Sequence, residues 1–185
     1  MGDVKSFLVM YFECVANMHK DRDGHRGYYE VVKNNSDMPI AVNGSAAAFD
    51  ADGNMVSGGD KGTNEPLGPG EELVLEYEFH NNLDFETVKS DIICYQSQSS
   101  AFGTADFSIN ESMADDGKMV LKVTNDGSDD CGNYVFIKSL FMDEDDVVVH
   151  VKLTGTNRLA AGASEEVTLT PPSEYDHVEH YFAEY

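Results

Sequence analysis

The stretch VVKNNSDMPIAVNGSAAAFDADGNMVSGGDKGTNEPLGPGEELVL, residues 31–75, has an order of apolar runs and turns that returns once, at residues 123–167. At this ungapped offset of 92 residues, seven of the 45 positions are identical. The identical pairs are Val31/Val123, Ser36/Ser128, Asp37/Asp129, Phe49/Phe141, Val56/Val148, Leu67/Leu159 and Gly70/Gly162. Because they fall at equivalent turns and apolar runs in one register, the pattern indicates an internal duplication.

The turn chemistry of the first copy predicts a β-structure. Residues 50–54, Asp-Ala-Asp-Gly-Asn, predict a hairpin, because Gly53 can adopt a positive φ and Asp or Asn side chains bind nearby backbone. Residues 67–70, Leu-Gly-Pro-Gly, form a second turn signal. Residues 73–79 then alternate apolar and acidic side chains, which predicts a half-buried antiparallel strand with a mostly acidic outer face.

The same criteria predict five or six strands in each copy. In the first copy they cover residues 7–16, 28–33, 40–49, 55–59, 73–79 and 90–96, with a short helical or irregular crossing at 82–88. In the second copy they cover residues 105–112, 118–124, 134–141, 147–153, 167–170 and 178–185. No window has a long 3.6-residue apolar period. The predicted fold is all-β, with two tandem immunoglobulin-like Greek-key β-sandwiches at residues 1–97 and 104–185, joined by a short linker at 98–103.

Charge and hydropathy exclude several functions. The formal net charge of −22 argues against binding nucleic acid or an anionic membrane by general electrostatics. No apolar run approaches the length of about 20 residues that a membrane-spanning helix needs, so no membrane insertion is expected. The apolar residues 6–12 lack a basic start and a small-residue cleavage site, and are therefore interpreted as the first strand rather than a signal peptide.

The cysteine content argues against a disulfide scaffold. Cys14, Cys94 and Cys131 are an odd number, so at least one thiol stays unpaired. Cys14 lies in the first predicted strand of copy one and Cys94 in its last, and these two strands can be neighbours in a sandwich. A Cys14–Cys94 bridge is therefore a hypothesis, which counting free thiols under denaturing, non-reducing conditions would test.

The acidic loops are candidate calcium sites. Asp50, Asp52 and Asn54 stand at alternate positions, but an EF-hand-like loop needs Gly at its sixth position and Glu at its twelfth. Those positions hold Met55 and Lys61. Asp21 and Asp23 also alternate, but no third ligand follows them at the next alternate position. The acidic run 143–146 could form a site only together with other loops, and the sequence does not show whether they meet. We interpret these segments as acidic hairpin turns and predict no metal site.

The remaining candidate residues give no catalytic motif. His177 and His180 are three residues apart, and positions three apart on a strand face opposite sides, so the pair is not expected to share a metal. No phosphate-binding loop, nucleophile elbow or Cys–His spacing occurs. The chain is therefore predicted not to be an enzyme and to need no cofactor. Tyrosines that could stack on a sugar, but are expected to pack in the core or at sheet edges, are Tyr28, Tyr29, Tyr175, Tyr181 and Tyr185.

Three features of the first copy together resemble a known group of modules. They are the polar turn at 34–37, the aromatic-Asp-x-Asp-Gly hairpin that begins at Phe49, and the Leu-x-Pro-Gly-Glu turn at 67–71. This combination resembles FxLYD-like and related immunoglobulin-like or fibronectin-III-like modules of secreted and surface proteins of bacteria. The signature would fall at residues 46–50, where Phe49 and Asp50 agree, and at 138–142, where Leu140 and Phe141 agree.

The resemblance implies an exported, non-catalytic module without functional residues to transfer. The sequence therefore predicts an exported bacterial protein whose tandem modules act as a surface or adhesion-type interaction region or as a spacer. Its expected partner is a protein or glycan at the cell surface, and its oligomeric state stays open. The alternative is a carbohydrate- or calcium-binding β-sandwich module. A hydrolase would need a cleft with perturbed carboxylates, which the sequence does not indicate.

Overall fold

The computed structural model describes residues 10–13, 19–20, 26–79, 85–97 and 103–183, and within these ranges the regular structure is entirely β. The strands are β1 (Met10–Glu13), β2 (His19–Lys20), β3 (Arg26–Asn34), β4 (Ile40–Phe49), β5 (Met55–Leu67), β6 (Glu72–Phe79), β7 (Thr87–Gln96), β8 (Phe107–Met113), β9 (Met119–Asn125), β10 (Val135–Met142), β11 (Val148–Thr156), β12 (Ser164–Leu169) and β13 (His177–Ala183). The described ranges contain no helix, and none that could span a membrane. The all-β prediction is confirmed.

The strands form four antiparallel sheets with one topology used twice. Sheet I joins β1 and β2 to one edge of β3 and β6 to the other, and sheet II has the order β5-β4-β7. Sheet III has the order β8-β9-β12, and sheet IV the order β11-β10-β13. In each half the chain crosses from the first sheet to the second, turns in a hairpin, crosses back and crosses once more. This Greek-key order is that of an immunoglobulin-like sandwich.

Alternating side chains close each sandwich. Sheets I and II bury one core, and sheets III and IV bury another, as expected when period-two strands pack face to face. The first core includes Val32, Leu75, Tyr77, Val42 and Ala48. The second includes Met119, Leu121, Val123, Ile137 and Phe141.

A buried asparagine closes the same corner of each sandwich. Asn34 donates from Nδ2 to the carbonyls of Met38 and Leu67, both at 2.8 Å. Asn125 donates in the same way to the carbonyls of Asp129 and Leu159, at 2.9 and 3.1 Å. The two asparagines are 91 residues apart, whereas their corresponding acceptors, Leu67 and Leu159, are 92 residues apart.

The hairpins correspond at yet another offset. Asp50 receives the backbone amide of Gly53 on its carbonyl, and Asp143 receives that of Asp146, a spacing of 93 residues. Gly53 and Asp146 both have positive φ, 80° and 59°. The two halves therefore correspond strand by strand with one-residue shifts between segments. Their origin by duplication stays a prediction.

Several strands differ from their predicted bounds. β11 ends at Thr156 rather than residue 153, β12 begins at Ser164 rather than residue 167, and β2 lies where no strand is predicted. β5 does not end near residue 59 but pairs with β4 as far as Leu67, because backbone hydrogen bonds continue through its glycines without any need for side chains. β7 begins at Thr87 rather than residue 90, so the predicted crossing at 82–88 is already strand at its end. Of the rest of that crossing, residues 85–86 are irregular and residues 82–84 lie outside the described residues.

The two sandwiches pack on each other through a third apolar layer. Sheet I turns Tyr29, Val31 and Val74 away from its own core. These side chains meet residues of sheet IV, namely Leu140, Met142, Val148 and Tyr181. The sheets are therefore stacked in the order II, I, IV, III. Sheets I and IV are buried on both faces, which the continuous apolar character of residues 140–142 would favour.

One ion pair fixes the polar margin of this layer. Lys138 of sheet IV donates from Nζ to Glu76 Oε2 of sheet I at 2.9 Å, and the Tyr29 hydroxyl donates to Glu76 Oε1 at 3.1 Å. The acidic face predicted for residues 73–79 thus points partly at the second sandwich rather than only at solvent. An isolated sandwich could not show this, because the partner of Glu76 belongs to the other half.

Candidate functional site

The first acidic hairpin uses its own carboxylate to hold the turn. Asp50 Oδ1 accepts the backbone amides of Asp52 at 3.0 Å and Asn54 at 2.8 Å, and both carboxylate oxygens accept from Asn54 Nδ2. These hydrogen bonds, that of the Asn54 backbone amide foremost, lower the pKa of Asp50 below its usual value. The carboxylate therefore acts as a cap on the turn.

The second acidic hairpin repeats this arrangement. Asp143 Oδ1 accepts the backbone amides of Asp145 and Val147, both at 3.0 Å. Asp146 lies 3.3 Å from His177 Nε2. Within the described ranges, no group of three His, Cys, Asp or Glu side chains is arranged to hold a metal ion. The acids at positions 21 and 23 lie outside those ranges.

The two histidines of the pair have separate environments. His177 contacts Asp146 and Asp176, while His180 Nδ1 lies 2.8 Å from Ser139 Oγ. His180 Nε2 lies 3.2 Å from Glu111 Oε2, which belongs to the opposite sheet of the sandwich. Burial lowers the pKa of His180, and the Glu111 carboxylate opposes this shift. The neutral imidazole therefore bridges sheets III and IV.

Ser139, His180 and Glu111 are the residue types of an acyl-transfer triad, but their placement does not suit one. A nucleophilic serine must present its hydroxyl to a substrate carbonyl. Ser139 is 0 % exposed and faces the interior of the second sandwich. The hydroxyl is thus closed to substrate, and the three side chains form a structural bridge. This bridge could not be predicted from the sequence, since Ser139 and His180 become neighbours only through the β10–β13 pairing.

A second polar cluster is buried in the first sandwich. The Glu30 carboxylate accepts hydrogen bonds from the Tyr77 hydroxyl, at 3.1 Å, and from the Ser90 hydroxyl. Burial and the nearby Glu30 charge raise the pKa of Tyr77.

Burial also raises the pKa of the Cys94 thiol to about 11, so that thiol is protonated and weakly nucleophilic at neutral pH.

The cysteines are only partly described. Cys94 and Cys131 carry free thiols in the structure, and Cys14 lies outside the described residues. The Cys94 side chain packs against the first core, which includes Val42 and other apolar side chains.

The tyrosines chosen from the sequence do not form an exposed platform. Tyr28 and Tyr29 are buried, and Tyr181 is buried in the layer between the sandwiches. Tyr175 packs edge-on against Phe141 with ring centroids 5.0 Å apart. Tyr185 lies outside the described residues. The sequence-based expectation of packing is confirmed for Tyr28, Tyr29, Tyr175 and Tyr181.

Two large apolar side chains are exposed next to each other on β7, on the outer face of sheet II. Ile93 is 67 % exposed and Tyr95 46 % exposed, and both point outward from β7. The Tyr95 hydroxyl accepts a weak hydrogen bond from Asn43 Nδ2 at 3.4 Å. Contiguous exposed apolar patches mark interaction surfaces, and these two side chains are the candidate centre of one. The sequence shows residues 92–95 as one continuous apolar run, so it does not indicate that Ile93 and Tyr95 face outward.

The opposite outer face of the stack is polar. On sheet III the outward positions of β8, β9 and β12 are mostly hydroxyl, amide and charged residues, among them Ser112, Lys122, Glu166 and Thr168. The two ends of the stack therefore differ in chemistry, and sheet II carries the candidate contact surface.

Fold and surface together define an all-β protein of two stacked immunoglobulin-like sandwiches. No family model and no curated protein matches the chain. Among solved structures it is similar to a transglutaminase of red sea bream, at 9 % identity and TM-score 0.32, covering 98 % of this chain and 32 % of that one. It is also similar to a Bacteroides uniformis β-glucuronidase 2, at 13 % identity and TM-score 0.22, covering 79 % of this chain and 21 % of that one.

A β-glucuronidase of glycoside hydrolase family 2 is similar at 10 % identity and TM-score 0.21, over 84 % of this chain and 21 % of that one. The chain spans about a third or less of the length of these enzymes. Similarity at these TM-scores carries no inference about activity.

Proposed function

We propose that this protein is a non-catalytic, exported bacterial module pair that binds a protein partner through the outer face of sheet II. The exposure of Ile93 and Tyr95 on a stacked, rigid support carries this proposal. A strand face of this kind supplies an aromatic anchor whose position is set by the sheet, at low conformational cost on binding. The exported location rests on the resemblance of the turn motifs to modules of secreted and surface proteins.

The hydrogen bonds that the candidate reactive groups make within the fold support a non-catalytic role. The Asp50 and Asp143 carboxylates hold their own turns, and the Ser139 hydroxyl is buried against His180. These three groups thus have structural tasks in the fold. The net charge of −22 favours a partner with a basic contact surface, since long-range attraction speeds the encounter of opposite charges.

A pair of matched surface variants tests the contact face. The double variant Ile93→Thr/Tyr95→Thr removes the apolar contact and keeps residues that suit a strand, and Val120→Thr/Lys122→Thr alters the outer face of sheet III as a control. Proteins from a bacterial surface fraction that bind the wild type should lose at least tenfold affinity for the first variant alone. Equal binding by both variants would refute the assigned face.

The ligand-binding alternative has its own readout. A calcium or glycan ligand that binds only the folded state raises the melting temperature by mass action. We expect no shift with calcium or with a glycan panel in the wild type. A shift that persists in the Ile93→Thr/Tyr95→Thr variant would replace the protein-binding role by the ligand-binding one.

A further inference from the structure

One buried carboxylate holds the chain where it passes between the sandwiches. Glu71 lies in the turn between β5 and β6 and is 3 % exposed. Its Oε2 accepts the backbone amide of Gly68 at 2.5 Å. Its Oε1 accepts the amide of Thr104 at 2.6 Å and also that of Gly103. Three amides therefore converge on one side chain, and two of them belong to the connection that leads into β8.

The main chain around Glu71 is itself fixed to the first sandwich. The Asn34 amide donates to the Glu71 carbonyl at 3.0 Å, and the Gly70 amide donates to the Asn34 carbonyl at 2.8 Å. On the other side, Thr104 is buried and its carbonyl accepts the amide of Phe107, the first residue of β8, at 3.0 Å. The carboxylate thus joins an anchored turn to the start of the second sandwich.

The second sandwich supplies an internal comparison. Its corresponding turn has Ala163 in place of Glu71, and the Asn125 amide donates to the Ala163 carbonyl at 3.0 Å. The Gly162 amide donates to the Asn125 carbonyl at 2.8 Å, as Gly70 does to Asn34. The turn therefore forms with the same backbone bonds without a carboxylate at the position of Glu71; a different side chain, Asp130, accepts the amide of Ala161 there at 2.9 Å. What distinguishes Glu71 is that its carboxylate also accepts the amides of Gly103 and Thr104, outside its own turn.

We propose that Glu71 is a latch that ties the connection at residues 103–104 to the first sandwich and so fixes where the second sandwich begins. Amide hydrogen bonds to a carboxylate are stronger than those to a neutral acceptor. A single carboxylate can therefore hold a segment that has no regular structure. The inference goes beyond the partner-binding role proposed above and does not depend on it.

Amide hydrogen exchange of the full chain tests the latch. Glu71→Ala copies the residue that the second sandwich already tolerates, so the protein should fold. We expect the Gly103 and Thr104 amides to exchange at least tenfold faster in this variant, while amides in the middle of β4 and β9 keep their rates. Glu71→Gln should give an intermediate effect, since its amide group can accept at one atom only. Glu72→Ala, which removes the neighbouring carboxylate that binds Lys33, is the matched control and should leave both amides unchanged.

Unchanged exchange of Gly103 and Thr104 in Glu71→Ala would overturn the proposal. An equal acceleration in Glu72→Ala would also overturn it, because the effect would then reflect the charge of the turn and not the bound carboxylate. Should Glu71→Ala fail to fold, Glu71→Gln decides, with an acceleration confined to Gly103 and Thr104 required for the latch.

Discussion

Single buried side chains set the corners of both sandwiches. Asn34 and Asn125 each donate from Nδ2 to two main-chain carbonyls. Replacing either by alanine removes two hydrogen bonds from this corner, although the Ser36 hydroxyl still donates to the Met38 carbonyl and the Cys131 amide to the Leu159 carbonyl. Losing buried hydrogen bonds is costly. We expect Asn34→Ala and Asn125→Ala each to lower the free energy of unfolding by about 1–3 kcal/mol, measured by urea denaturation.

Asparagine-to-aspartate variants sharpen this prediction. Asn34→Asp keeps the shape but turns a carboxylate oxygen towards the carbonyls of Met38 and Leu67, so it should destabilise more than alanine does. The exposed Asn110→Ala is the control and should change stability by less than about 0.5 kcal/mol. If Asn34→Ala behaved like Asn110→Ala, the corner role would be wrong.

His180 links stability to pH. Its pKa is lowered by burial from the usual 6.5, so the unfolded chain binds a proton at a higher pH than the folded protein does. Between the two pKa values the unfolded state holds more protons, and stability therefore rises with pH. This contribution is complete above about pH 6.5 and is lost as pH falls through the folded pKa.

The measurement is an NMR titration of the imidazole together with urea midpoints from pH 7.5 to 5. We expect His180 to titrate below 6.5 and His180→Gln to flatten the slope of stability in this window. A folded pKa at or above 6.5 would contradict the prediction. His177→Gln, on the exposed hairpin side of β13, serves as the comparison.

At the scale of a strand, β4 needs a glycine where it passes β6. A Cβ on Gly44 would lie 1.9 Å from the Tyr77 hydroxyl and 2.8 Å from Leu75 Cδ1, both in the first core. Gly44→Ala should therefore cost about 1–3 kcal/mol through overpacking. Gly58→Ala, whose Cβ would have its nearest contact at 3.5 Å, should be far milder.

A double-mutant cycle isolates the cause. Tyr77→Phe removes the hydroxyl that the new Cβ would meet, so it should offset part of the cost of Gly44→Ala. Additive effects of the two substitutions would show that the Tyr77 hydroxyl is not the obstacle. The urea midpoints of the two single variants and the double variant give this coupling.

The strand positions could be predicted from the sequence, but their faces and partners could not. Period-two alternation placed Met119, Leu121 and Val123 on one face, and all three lie in the second core. The fixed offset of 92 paired Val31 with Val123, yet Val32 faces its sandwich core and Val31 faces the other sandwich. A shift of one residue inverts the face of a strand, so weak similarity cannot decide it.

The contacts between the two sandwiches also could not be predicted from the sequence. Glu76 looked like a solvated acid because its alternation marks an outer face, and only the fold brings Lys138 to it. The buried Asn34 and Asn125 could have been found, since both follow the pattern Val-x-Asn at a strand end with an offset of 91. Ser139 and His180 had no such signal, because their contact depends on strands far apart in the chain.

For the whole molecule, the apolar layer between sheets I and IV decides how the protein unfolds. Tyr29, Val31, Leu140 and Met142 are nearly fully buried there. Burying one such side chain stabilises by roughly 1.5–3 kcal/mol, so four of them contribute about 6–12 kcal/mol. This approaches the whole stability of a typical domain, about 5–15 kcal/mol. Neither sandwich is therefore expected to stay folded after the other unfolds.

The protein should unfold in one two-state transition, with equal calorimetric and van't Hoff enthalpies. Leu140→Ala lies in the second sandwich but should lower the stability of both by about 2–5 kcal/mol, as reported by amide exchange in β4 and in β9. Leu153→Ala, on the half-exposed edge of sheet IV, should have little effect. If Leu140→Ala accelerated exchange in β9 alone, the sandwiches would be independent. A stack that unfolds as one body would then be ruled out, and with it the rigid support on which the partner-binding face depends.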